Sequence, residues 1–130
     1  MAFINLRKRT FKFEPASYTT TATSAAFNVS AGDVIVAAFV RINTAFDGTN
    51  SDTALELGDG GDPNRFIESG DPTESTAGLY QGSGVGLADD FGYIYTADDT
   101  IDVVFTRDTG ADGTEGTATF TIIVAELAPI

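Results

Sequence analysis

The chain has no cysteine, no histidine and no tryptophan among its 130 residues, and a single methionine. Without cysteine there is no disulfide and no thiolate metal site. Without histidine the commonest general base and the commonest zinc ligand are both gone, and the many Ser and Thr residues cannot form a serine–histidine–acid triad. Basic residues are scarce: seven Lys and Arg stand against nineteen Asp and Glu, a net charge of −12. That balance repels phosphate backbones and anionic lipid over most of the surface, so neither nucleic acid nor a membrane is an expected partner. Long apolar runs are missing too. The longest, Val34–Val40, is strand-sized, well short of the roughly 18 to 20 residues a membrane span needs. At the N-terminus, Met1-Ala2-Phe3-Ile4-Asn5-Leu6 places apolar residues before Arg7-Lys8-Arg9, the reverse of the order in a secretory signal.

What remains is a chain able to fold. Hydrophobic residues make up 42%, with ten Phe, enough for one modest core in one domain despite the charge. Short runs of Thr, Val, Ile, Phe and Tyr alternate with acidic, glycine-rich clusters such as Gly58-Asp59-Gly60-Gly61-Asp62 and Ala97-Asp98-Asp99. Asp and Gly reverse the chain, and the residues between them suit a pleated, half-buried surface.

Strands are expected over Tyr18–Val29, Val34–Thr44, Thr53–Leu57, Arg65–Glu68, Ala77–Gln81, Phe91–Thr96, Ile101–Arg107 and Gly116–Leu127. Val34–Thr44, apolar on both faces, is expected at the centre of a sheet. Gly82-Ser83-Gly84-Val85-Gly86 is expected to be a flexible crossing, and Asp108–Glu115 a hairpin loop. Regular strand spacing without helical periodicity predicts an all-β, single-domain, two-sheet sandwich, jelly-roll-like.

Charge is distributed unevenly. Residues 1–14 carry Arg7, Lys8, Arg9 and Lys12 against Glu14, a net of +3, which leaves −15 on residues 15–130. The expectation is an extended basic N-terminal arm, 1–14, closed off by Pro15, on an all-β body, 15–130. Phe3, Ile4, Leu6, Phe11 and Phe13 are interleaved with Arg7, Lys8, Arg9 and Lys12. These nine residues are the candidate partner-binding set, because apolar groups on an arm ask for a covering surface. The extended character favours reach to a neighbouring subunit over folding back.

The other candidates are turn chemistry first. Asp59, Asp62 and Asn64 offer oxygen ligands of the kind calcium takes, but without the spacing of a helix–loop–helix calcium site. The expectation is a structural loop and no metal. Asp89-Asp90 and Asp98-Asp99 read as solvated turn carboxylates in preference to a glycosidase pair. Tyr80, Tyr93 and Tyr95 read as packing residues in preference to a sugar platform. Gly82–Gly86 lacks the lysine and helix of a phosphate loop. No catalytic residue and no cofactor is expected; the protein is read as non-enzymatic.

The segments Val40-Arg41-Ile42-Asn43-Thr44-Ala45-Phe46-Asp47-Gly48-Thr49, Gly58-Asp59-Gly60-Gly61-Asp62 with Arg65-Phe66, and Gly92-Tyr93-Ile94-Tyr95-Thr96-Ala97-Asp98-Asp99-Thr100-Ile101-Asp102 resemble those of small structural proteins of tailed bacteriophages. Several such proteins are head decoration or cement proteins. The resemblance covers about half of the chain. It implies a capsid-surface location in the virion, the major capsid protein as partner, and self-association, typically as a trimer. The alternative it leaves open is a tail- or fibre-associated β module that binds carbohydrate.

Overall fold

The computed structural model describes residues 3–48, 53–84, 86, 92–107 and 112–128, with side chains from residue 5 to residue 125 of these. Eight strands run in order: β1 (Phe3–Phe13), β2 (Ala22–Val29), β3 (Val34–Thr44), β4 (Ala54–Gly58), β5 (Gly78–Gln81), β6 (Tyr93–Ile94), β7 (Asp99–Thr106) and β8 (Thr117–Ala128). They form two sheets. One has the order β1-β8-β3-β5, with β6 also on β3; the other is β2-β7-β4. No α-helix occurs among the described residues.

The chain pairs from its outer strands inward: β1 with β8, β2 with β7, β3 with β6, all antiparallel. Successive pairs fall in alternate sheets, which is the connectivity of a jelly roll. The β5 strand departs from that scheme by joining the later part of β3, from Phe39 opposite Gln81 to Ile42 opposite Gly78.

Two-residue periodicity makes the core. Ile101, Val103 and Phe105 from β7, Leu55 and Leu57 from β4, and Phe120, Ile122 and Val124 from β8 are all fully buried between the sheets. In β3 the period breaks, with Ile35 and then Ala38, Val40 and Ile42 inside. A bulge between Ile35 and Ala37 absorbs the extra residue. Phe13, Phe46 and Phe105 pack at one end of the sandwich, with ring centroids 5.7 and 5.6 Å from Phe105. Phe66, Tyr93 and Tyr95 fill the other. Each such burial contributes about 1.5–3 kcal/mol.

Several expectations shift. Residues 18–20 form a turn, so β2 starts at Ala22; the Tyr18 hydroxyl instead donates to the Gly116 carbonyl at 3.1 Å. Arg65–Glu68 contributes only a bridge between Ile67 and Leu57. Gly82, Gly84 and Gly86 are not a flexible crossing. The amides of Gly82, Gly84 and Gly86 donate to the carbonyls of Ala38, Phe66 and Arg65 at 2.8, 3.1 and 2.9 Å. A Cβ on any of the three would collide with residues 65–67. Glycine is there because backbone lies against backbone. Residues 108–111 of the expected 108–115 loop lie outside the described residues.

Candidate functional site

The acidic loop after β4 is closed by its own chain. Oδ1 of Asp59 accepts from the amides of Gly61 and Asp62 at 3.1 and 3.0 Å and from Arg65 Nη2 at 3.1 Å. Oδ2 accepts Arg65 Nε and the Tyr95 hydroxyl, each at 2.8 Å. The guanidinium of Arg65 lies over the Tyr93 ring, 4.1 Å from its centroid. Burial alone would raise the Asp59 pKa, but the hydrogen bonds from Arg65, Tyr95 and Asp62 outweigh it and hold the carboxyl below its ordinary range. Burial, then the bond to Asp59, pushes the Tyr95 phenol up. The carboxylate that invited a calcium reading is therefore spent on orienting residues 59–65 against β6 and its flank. Among the described residues, no three acids converge as a metal site.

A second cluster surrounds Arg107, which is buried just past β7. Its guanidinium donates to the carbonyls of Tyr18 and Asp47 at 2.7 and 2.9 Å, and to the Thr53 hydroxyl. The Asp47 carboxylate in turn accepts the amides of Thr114 and Glu115 at 2.7 and 2.9 Å and the Thr114 hydroxyl at 2.8 Å. Those donors hold its pKa down to about 2. Three loops are thereby tied together at one end of the sandwich. Nothing local in the sequence marks Arg107 as their common partner, since the groups it meets are mostly backbone carbonyls far away in the chain.

The other candidate acids serve turns. Asp98 accepts the Ala31 amide at 3.2 Å and Asp99 that of Thr100 at 2.7 Å; Asp89 and Asp90 lie outside the described residues. Tyr93 and Tyr95 meet edge to face, 4.9 Å between centroids. The Tyr80 hydroxyl donates to the Thr76 carbonyl at 2.8 Å. All three tyrosines pack with the core.

Residues 3–13, expected to reach away from the body, pair along their whole length with β8 of the same chain, from Phe3 opposite Ala128 to Phe13 opposite Ala118. The alternation explains this. Phe13 is buried and Phe11 packs edge to face on Phe27 at 6.2 Å. On the same side Arg9 lies 5.5 Å from the Phe27 ring centroid and donates to the Asn28 carbonyl at 2.5 Å. The opposite side shows Leu6, Lys8 and Lys12 to solvent, and Arg7 is exposed at the seam with β2. The side chains of Phe3 and Ile4 lie outside the described residues.

Read across the register, the outer face of the five-stranded sheet forms rows: Leu6, Ala125, Val34 and Ile94; Lys8, Ile123 and Ala37; Thr10, Thr121, Phe39 and Gln81; Lys12, Thr119, Arg41 and Leu79. Leu6, Leu79 and Ile94 are 68, 57 and 56% exposed. Among described side chains, the strands of this sheet carry five of the seven basic residues and no carboxylate. The three-stranded sheet is the reverse: Glu56 and Asp102 stand on its outer face, Asp99 starts β7, and its strands contain no cation.

The arrangement defines an antiparallel, two-sheet β-sandwich with jelly-roll connectivity, whose buried charges are used to fasten loops. Similar folds occur in phage capsids. A chain in the acidic stable capsid structure of Helicobacter pylori bacteriophage KHP30 aligns over 100% of both chains with a TM-score of 0.66 at 8% identity. A chain of the cyanophage Pam1 capsid asymmetric unit aligns over 96% of this chain and 86% of its own, with a TM-score of 0.61 at 11% identity. At such identities the likeness is one of fold. No family model and no curated protein matches the sequence.

Proposed function

We propose that the chain is a non-enzymatic structural protein of a tailed-phage virion, a decoration or cement protein on the capsid surface that stabilises the head through contacts with the major capsid protein. The observation that carries this reading is the whole-chain fold likeness to chains of two phage capsid structures. The internal chemistry supports it: Asp59, Arg65 and Arg107 are all engaged in holding loops, as a mechanical part requires. Self-association, as a trimer, is part of the proposal and follows from the resemblance to cement proteins. Among the described side chains of the candidate contact set, Leu6, Arg7, Lys8 and Lys12 are exposed.

The test is addition of the purified protein to expanded empty shells assembled from the capsid protein of the phage that carries this chain, followed by sedimentation and cryo-EM. Saturable binding at defined lattice positions is the expected result. Absence of binding, or binding only to tails, overturns the proposal.

A further inference from the structure

The outer face of the five-stranded sheet has a composition opposite to that of the protein. The chain is −12 as a whole, yet this face shows Lys8, Lys12 and Arg41 with no described carboxylate in its strands. Between the cations lies a shallow depression of about 430 Å³ lined by Phe39, Leu79 and Ile123 with Thr119 and Thr121. Threonines and half-exposed apolar groups in the middle, cations towards the margins and exposed leucines at two corners make a surface of interface type.

We infer that this face is the docking surface for an acidic protein surface with an apolar centre, on a chain other than this one. A second copy fits poorly here whether it presents the same face or its acidic three-stranded face, which leaves the proposed trimer to other surfaces. Two-fold pairing through this face would bring Lys8, Lys12 and Arg41 against the same three cations, and like charges facing each other cost several kcal/mol. Docking it on the acidic three-stranded face of another copy joins opposite sides of one slab. Such a head-to-tail contact continues as an open stack and does not close. A different chain, acidic where this face is basic, satisfies both charge and closure. Nucleic acid would use the cations but leave the apolar centre without a role.

The inference rests on the capsid reading above and adds which surface makes the contact. The experiment uses the same expanded shells, with three variants: Lys8→Glu/Arg41→Glu, Leu6→Ser/Leu79→Ser, and Glu56→Gln as a control on the opposite face. All the changed residues are exposed or half-exposed, and matching thermal melts verify that each variant is folded. Wild type and the control are expected to bind alike. The charge variant is expected to lose about tenfold in affinity and to lose the wild type's salt sensitivity; the leucine variant is expected to lose about as much without losing salt sensitivity.

Failure of wild type to bind shells overturns the capsid reading and this inference together. Equal binding by wild type and both face variants overturns this inference alone. Light scattering that shows salt-sensitive self-association abolished by the charge variant would make the occupant a second copy. A gel-shift with duplex DNA abolished by the same variant would make it nucleic acid. Either outcome overturns the assignment to an acidic protein.

Discussion

Arg65 grips Asp59 through both Nε and Nη2, at 2.8 and 3.1 Å, while its planar group covers Tyr93. Six residues apart, the two side chains convert a glycine-rich acidic loop into a fixed lid on the Phe66–Tyr93–Tyr95 end of the core. Removing the guanidinium leaves a carboxylate buried without its counter-ion. Arg65→Ala is therefore expected to lower stability by about 3 kcal/mol. Arg65→Lys keeps the charge but loses the fork and the stacking, so it should recover only part of that. Urea unfolding followed by circular dichroism checks both.

Acid should weaken the fold through the same class of carboxylate. Asp47 has a folded pKa of about 2, against an ordinary value of 3.8, and that of Asp59 is also lowered. A depressed folded pKa means that the unfolded chain takes up its proton first. The stabilisation is complete above about pH 4 and is lost progressively as pH falls towards 2. Thermal melts between pH 6 and pH 2 should show wild type losing its advantage over Asp47→Asn across that window. Parallel curves would show that the contacts to Thr114 and Glu115 do not control acid stability.

Phe13 and Phe11 separate the two uses of the first strand. Phe13 is 5% exposed, against Phe105 and Phe120; Phe11 is half-buried on Phe27. Phe13→Ala should cost about 3–5 kcal/mol, with Phe11→Ala clearly milder. Equal and small effects in denaturant titrations would mean that the strand contributes little to the core.

Arg107 joins loops that approach one another only in the folded state. Arg107→Met preserves much of the side-chain volume but orphans the carbonyls of Tyr18 and Asp47 and the Thr53 hydroxyl. These groups are part-buried, so each costs towards the low end of the about 1–3 kcal/mol of an unsatisfied buried group, and a loss of about 3 kcal/mol in all is expected. Hydrogen exchange should quicken at Thr114 and Glu115 before it does in β7. Uniform quickening would mean that the residue supports the sandwich as a whole instead of the loops.

How far the sequence foretold this depends on the range of the interaction. The strand at Val34–Thr44 was legible to the residue, because an apolar run bounded by turns needs no distant information. The same holds for Ile101, Val103 and Phe105 on one face. Tyr18–Ser24 is equally rich in Thr, Ser and Ala on either side of the real strand start, so propensity could not show that Tyr18 turns away to meet Gly116. The glycines at 82, 84 and 86 read as flexibility because their reason is close contact with residues 65–67, which is invisible locally. The first fourteen residues read as an arm because the partner of β1, β8, is at the far end of the sequence. Their outward side, with Lys8 and Lys12, is legible as an exposed cationic face. That Arg41 and Leu79 continue it required the register.

The pairing of β1 with β8 also governs when the molecule can form. Phe11 and Phe120 are neighbours across the sheet but lie on the order of a hundred residues apart in the chain. At a ribosome adding about 5–20 residues per second, the first strand emerges roughly 5–20 s before the strand that receives it. During that interval Phe11 and Phe13 have no partner sheet, and β3 lacks the neighbour that should sit between it and β1. Lys8, Arg9 and Lys12 keep this waiting ribbon cationic, which discourages it from pairing with the same segment of other nascent chains. The basic character of the first strand thus guards the unfinished protein, before the finished one has any surface to present.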